Sequence, residues 1–258
     1  MAKDSHYIKT TGDGSHTVFS RGFDQHFHNP NGAIAESRHV FFEESGLLTA
    51  IQSKSHLNIA ETGFGTGLNL LLLCEYMNKL NCRVTIRYFA AEGYPLQPEV
   101  VEQLNYHHYL DLSEQLPHPS GWFKNLKSGW NLKTITPRIK LLLFVGEFDE
   151  WQMEPESIDY FFHDPFSIDV NPEGWTKSLF SRLRSFARHD ALLATYAAAT
   201  RARAAMAAAG WQLAGAPGAM GKREMTVASP DEKQLKGFKM LNTQRLKERY
   251  YQEFADKE

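Results

Sequence analysis

Residues 58–69 read Asn58-Ile59-Ala60-Glu61-Thr62-Gly63-Phe64-Gly65-Thr66-Gly67-Leu68-Asn69. A short apolar run meets a turn with three glycines, and beyond it an apolar pattern of helical spacing continues to residue 79. The order strand, glycine turn, helix is the start of an open α/β sheet, in which ligands bind outside the carboxyl ends of the strands. The spacing of the glycines narrows the ligand. A dinucleotide site needs G-x-G-x-x-G so that pyrophosphate can sit on the helix N-terminus, and its third glycine position is Leu68 here. Glycines at 63, 65 and 67 instead allow the backbone to lie flat where a Cβ would collide with a bound nucleoside.

Working outward, short apolar runs alternate with longer amphipathic ones, the pattern of a mostly parallel sheet with crossover helices. Seven strands are predicted at 57–61, 84–91, 139–145, 158–163, 191–196, 211–214 and 224–228. Helices are predicted at 68–79, at 98–109, at 172–187 with Asn171 as its cap, and at 200–209 closed by Gly210. The fold class is therefore α/β and Rossmann-like, a seven-stranded mostly parallel sheet with flanking helices and an N-terminal extension. Residues 1–56 are expected to pack as that extension on a main domain at 57–229, with a docked C-terminal helix within 230–258. Residues 23–34, dense in His, Asn, Gly and Pro, suit irregular or edge structure, and 113–137 reads as a helical insertion or surface excursion.

The chain of 258 residues has 30 acidic and 28 basic side chains, but they are segregated. From 140 to 175 nine acids face one lysine, and from 176 to 225 eight bases face two acids. Such a chain can set an acidic ligand rim beside a basic phosphate-binding surface, or simply carry two solvated faces. The longest apolar run, 70–74, is far short of the roughly 20 residues that cross a bilayer, and the first residues lack the apolar core of a secretory signal, so a cytoplasmic location is expected. Cys74 and Cys82 form no ligand pattern, and the eleven histidines offer no convincing facial set, so no metal is expected.

Three acids fall at strand ends in register with the glycine turn: Glu61 before it, Glu92 after the second strand at the spacing of a ribose-binding carboxylate, and Glu147 after the third. The fourth strand runs into His163-Asp164-Pro165-Phe166. An amine that attacks a sulfonium methyl must be neutral and in line, so an acceptor that aims its lone pair is valuable. Asp164 has that chemistry, and Phe166 can stack on a planar base and exclude water. His163 reads as a packed strand-end residue.

The glycine turn resembles motif I of the class I S-adenosylmethionine (SAM)-dependent methyltransferases, and Asp164-Pro165-Phe166 resembles their D-P-P-Y/F amine motif with one proline missing. Together AESRHVFFEESGL (35–47), NIAETGFGTGLN (58–69), AAEGYPL (90–96), DYFFHDPFSIDVNPEGWTKSLF (159–180), ALLATYAAA (191–199) and GKREM (221–225) resemble the methyltransferase domain of the MnmC family, the tRNA 5-methylaminomethyl-2-thiouridine methyltransferases. The resemblance implies transfer of a methyl group from SAM to 5-aminomethyluridine at the wobble position of tRNA. It implies a SAM site at Glu61, Gly63, Phe64, Gly65, Gly67, Asn69, Glu92, Glu147 and Asp164, with Asp164 and Phe166 at the acceptor amine. It also implies RNA contacts from Arg203, Lys222 and Arg223. The stand-alone type, without the FAD domain of bifunctional members, is expected. The chain departs from the family pattern where Ala197–Ala199 and Thr200 replace a polar, glycine-containing stretch, where Ala204 replaces a second arginine, and where Glu147 replaces aspartate. Two other readings compete: an N-methyltransferase acting on a small-molecule or protein amine, and a non-catalytic SAM-binding scaffold. A basic track of Lys177, Arg182, Arg184, Arg188, Arg201, Arg203, Lys222 and Arg223 on the face of the methyl site would separate the first reading from these.

Overall fold

A computed structural model of the chain describes residues 6–257. Three strands, β1 (His6–Thr10), β2 (His16–Ser20) and β3 (Gln25–His26), form a small antiparallel sheet in the order β1-β2-β3. The main sheet contains β4 (His56–Thr62), β5 (Thr85–Glu92), β6 (Gly129–Thr136), β7 (Ile139–Val145), β8 (Ile158–His163), β9 (Ala187–Thr195), β10 (Gln212–Pro217), β11 (Glu224–Ser229) and β12 (Lys239–Met240). Its order is β12-β10-β11-β9-β8-β4-β5-β7-β6. Strands β9, β8, β4, β5 and β7 run parallel, and every pairing outside that block is antiparallel.

All seven expected strands are present, and two more extend the sheet at its edges. One, β6, arises inside the 113–137 segment, which was expected to be helical or irregular. Its residues alternate between exposed and half-buried because only one face of an edge strand is covered, so it lacks the continuous apolar run that marks central β4. The helix expected at 98–109 stops at Pro98–Glu102, followed by a 3-10 turn at Tyr106–His108. Asn105 separates them: its side chain accepts from His16 N at 2.7 Å and donates to Gly14 O at 3.0 Å, which ties the chain to the small sheet rather than to another helical turn. The helix expected at 172–187 is likewise two elements, a 3-10 turn at Pro172–Trp175 and a helix at Lys177–Phe186 whose N-terminus is capped by Thr176. Asn171 caps only the first, accepting from Gly174 N at 3.0 Å. The C-terminal stretch holds a helix at Thr243–Glu253 that packs along the helix at Thr200–Ala208.

Helix Leu68–Lys79 is buried almost all round, and Leu70, Leu71, Leu72 and Leu73 have no exposed surface. Val40, Phe41, Phe42, Leu47 and Ile51 share one apolar core with it, and Phe41 and Phe42 also meet Phe162 of β8. Burying each of those leucines is worth roughly 1.5–3 kcal/mol. The apolar run at 70–74 is therefore a core segment, and among the described residues no helix is long and apolar enough to cross a membrane.

Candidate active site

The order of the sheet reverses beside β4: one branch of the chain builds β5 and β7, the other β8 and β9. Ligands bind at such a switch point, off the carboxyl ends of the strands. There Gly63 has φ +83°, and a Cβ on it would lie 2.7 Å from Asp164 O, so the close approach of the β4 and β8 ends requires glycine. Gly65 and Gly67 also have positive φ, and a Cβ on Gly67 would press on Trp122 and Phe64.

A cavity of about 850 Å³, counting its open mouth, lies over this edge. Gly63, Phe64, Gly65, Asn69, Glu92, Glu147, Asp164 and Phe166 line it, joined by Phe23, Phe27, His28, Tyr94 and Phe148. Glu92 is held by main-chain donors, with Gly65 N at 2.9 Å from Oε2 and Tyr94 N at 2.9 Å from Oε1. Burial pushes its pKa up against those donors. Its carboxylate lines the cavity, where it can accept from hydroxyl groups. Glu147 is an exposed wall residue.

Two residues expected on the wall stand behind it. Glu61 is buried under the cavity floor, where it accepts from Asn69 Nδ2 at 2.7 Å and Tyr88 OH at 2.8 Å; burial pushes its pKa well up. Gly67 ends the turn and caps the helix at Leu68–Lys79. Both shape the cavity without lining it. Asn69 links Glu61 to the surface layer, because the same Nδ2 donates to Asp164 Oδ2 at 3.1 Å. That double donation fixes which end of the amide is nitrogen. It leaves Asn69 Oδ1 buried with no partner among the described residues, on a side chain that lines the cavity, where it can accept from an ammonium group.

A second cavity, about 910 Å³ with its mouth, also reaches Asp164. Its walls include Phe19, His26, Phe27, Glu36, Tyr196 and Lys222, and it shares Asp164, Pro165 and Phe166 with the first. The shared segment is pinned at each step. Asp164 N donates to Thr62 O at 3.0 Å, Tyr196 OH to Pro165 O at 2.8 Å, and Trp175 Nε1 to Phe166 O at 2.8 Å. Ser167 donates through N and Oγ to Gln25 Oε1 at 3.3 and 2.9 Å. The 3-10 turn that breaks the expected helix thus delivers Trp175 to the back of Phe166. The Phe166 ring stacks on Phe23 at 4.5 Å and meets Phe27 edge-on at 4.9 Å. Burial and the nearby Glu36 carboxylate push the Asp164 pKa well above the ordinary carboxylate range, against the Asn69 hydrogen bond and the Lys222 charge. His163 is fully buried, bonded to Thr62 Oγ1 at 2.6 Å, and burial lowers its pKa to about 3. It is a neutral packing residue.

Glu36, Phe23, Phe27, Tyr94 and Tyr196 have no place in the sequence reading of the site. The available signal was two phenylalanines in an irregular segment, FDQHF, where no apolar period assigns them to a core. Of the expected RNA residues, Lys222 does reach the second cavity, where its Nζ is 2.8 Å from Glu36 Oε1 and 4.7 Å from the centre of the Tyr196 ring. Arg223 is exposed beside it, at the rim of an adjoining hollow. Arg203 lines the same hollow as Lys222 and Arg223, but its head group is taken up by the protein. Its guanidinium is buried and donates to Glu224 at 3.1 Å, Thr226 Oγ1 at 2.9 Å and Met225 O at 3.1 Å, so it fastens its helix to β11. Arg188 leaves the expected track: it pairs with Asp159 and Asp190 at the amino ends of the parallel strands, the far side from both cavities.

A family profile described as S-adenosyl-L-methionine-dependent methyltransferase matches residues 112–231. The tRNA 5-methylaminomethyl-2-thiouridine biosynthesis bifunctional protein MnmC of Cupriavidus metallidurans is 34% identical over 221 residues, 82% of this chain and 32% of that protein. Its counterpart in Aromatoleum aromaticum is 32% identical over 237 residues, 87% of this chain and 35% of that protein. The crystal structure of MnmC2 from Aquifex aeolicus superposes with a TM-score of 0.71 at 22% identity, covering 91% of this chain and 75% of that one. The fold, the cavity at its switch point and these matches define a SAM-dependent methyltransferase. Within that class the chain belongs with the methyltransferase part of the MnmC proteins, spanning about a third of the length of those relatives.

Proposed function

We propose that this chain methylates the exocyclic amine of 5-aminomethyluridine, or its 2-thio form, at the wobble position of tRNA in the cytoplasm. One observation carries the reading: two adjoining cavities share the pinned segment Asp164-Pro165-Phe166 and with it a single carboxylate, the arrangement that a donor and an acceptor need.

The first cavity takes SAM, which supplies an electrophilic methyl group. Glu92 accepts the ribose hydroxyls, Asn69 Oδ1 accepts the α-ammonium, and Glu147 faces the adenine end. Gly63 and Gly65 leave room for the nucleoside, Phe64 walls it, and Glu61 and Gly67 hold that wall in place. The second cavity takes the modified base, with Phe166 against its face. Asp164 borders both and accepts a hydrogen bond from the amine, which aims the nitrogen lone pair at the donor cavity. Its raised pKa suits it to take the proton released on alkylation. Lys222 borders the second cavity and Arg223 the hollow adjoining it, where a phosphate would approach.

The test is transfer from labelled SAM to total tRNA from cells lacking this enzyme, followed by nucleoside analysis, with Asp164→Ala alongside. Label in 5-methylaminomethyluridine that is lost in the variant is expected. Protein that binds SAM, leaves tRNA unlabelled and methylates a small amine would refute the RNA assignment.

A further inference from the structure

Of the expected basic track, Arg203, Lys222 and Arg223 line one hollow beside the second cavity, with the Arg203 head group held by the protein, while Arg188 lies across the molecule. A different surface continues the second cavity outward. In the small sheet, side chains two apart share a face, and Tyr7 stands directly opposite Phe19 across the β1-β2 ladder. Their rings stack at 4.9 Å and 29°. Phe19 in turn meets His26 edge-on at 4.9 Å, and both of those residues line the second cavity. Tyr7, by contrast, is 37% exposed. Lys9 Nζ lies 5.7 Å and the Arg21 guanidinium carbon 5.8 Å from the centre of the Tyr7 ring. Among the described residues neither cation has an acidic partner. His26 Nδ1 is buried without a hydrogen-bond partner among the described residues. The opposite face of the sheet supplies Val18 to the core, so the aromatic row is not needed for packing there.

From this row we infer that the β1-β2 face is a landing surface for the single-stranded loop that carries the acceptor base: a neighbouring base stacks on Tyr7 while Lys9 and Arg21 swing from the ring to its phosphate. The inference rests on the tRNA reading above and deepens it. Unstacked loop bases are recognised on aromatic side chains, with cations along the backbone. An exposed ring flanked by two long cationic side chains supplies both groups at once. A protein partner fits less well, because two cations beside aromatics, without an acidic partner among the described residues, call for a polyanion with planar faces.

The experiment measures two quantities for wild type, Tyr7→Ala and the Lys9→Ala/Arg21→Ala double variant. The first is anisotropy binding of a labelled anticodon stem-loop RNA across salt concentrations. The second is methyl transfer to tRNA and to free 5-aminomethyluridine. Tyr7→Ala is expected to weaken RNA binding about tenfold, and to reduce transfer to tRNA far more than transfer to the free nucleoside. The double variant is expected to lower the slope of log affinity against log salt by about 0.7 for each phosphate that the two cations neutralise in the wild type. RNA binding and salt slope equal to wild type would overturn the inference, as would equal reductions on tRNA and nucleoside, which would mark a structural role. Wild-type protein that binds RNA through these residues but methylates no tRNA would refute the proposed reaction and leave the landing surface standing.

Discussion

The Gly63–Gly67 turn and the strand ends beside it are fixed by main-chain hydrogen bonds and sheet register, whereas the wall of the second cavity is fixed by side chains from distant parts of the chain. On the first side, Glu92 is gripped by Gly65 N and Tyr94 N, and Asp164 N by Thr62 O. On the second, Glu36 reaches Lys222 across 186 residues and Gln25 reaches Ser167 across 142. Backbone-held groups move only when the sheet moves. Groups held by side chains can be released one hydrogen bond at a time, which is where a site admits a large substrate.

Substitutions can break this comparison, and the largest effect falls where the two sides meet. Asp164→Ala should lower single-turnover methyl transfer roughly a thousandfold while SAM still binds; a decrease under tenfold would remove Asp164 from the chemistry. On the backbone-held side, acid should act through the core. His163 is neutral when folded, with its pKa lowered to about 3, whereas the unfolded chain takes up a proton near the ordinary value of 6.5. Its contribution is intact above about 6.5 and is lost as pH falls toward 3, at about 1.4 kcal/mol per pH unit. His28, lowered to about 4, acts in the same direction. Glu61, Glu92 and Asp164, raised by burial, act in the opposite direction, so the test is a difference: the urea midpoint of His163→Asn should rise relative to wild type as pH falls from 7 to 4.5, and a constant difference would sink the account.

Gly63→Ala comes next. The Cβ meets backbone, not a flexible side chain, and the φ is left-handed, so a loss of about 2 kcal/mol is expected in thermal unfolding, together with weaker SAM binding by calorimetry. A wild-type melting temperature would show that the strand ends part easily. The smallest effects belong to the side-chain-held wall. The Lys222–Glu36 bridge is partly exposed on the lysine side, and its coupling energy in a double-mutant cycle should stay below about 1 kcal/mol. Its electrostatic trace is sharper. Glu36 raises the Asp164 pKa and Lys222 lowers it, so the acid limb of the rate profile should move to lower pH in Glu36→Gln and to higher pH in Lys222→Met. Movement in the same direction in both variants would refute the field argument.

The same division decides what the sequence reveals. Strand-end groups such as Gly63, Glu92 and Asp164 follow apolar runs directly, so local pattern locates them. Glu61 is legible as an acid but not as a buried one, because its burial depends on Tyr88 from the next strand. Arg203 shows the converse: its charge is plain in the sequence, while the partner that neutralises it, Glu224, lies 21 residues on. Glu36, Phe23 and Phe27 are beyond local reading, since nothing near them in the chain marks the cavity they close.

The cover of helix Leu68–Lys79 has a practical consequence. Apolar residues between 40 and 51 share a core with its four fully buried leucines, and residues between 23 and 36 line both cavities. A fragment beginning at residue 57 would keep the glycine turn and the Asp164 segment, yet it would present a greasy stripe to water and aggregate. Trimming this protein to a minimal catalytic piece from that end should therefore fail on solubility before it fails on chemistry.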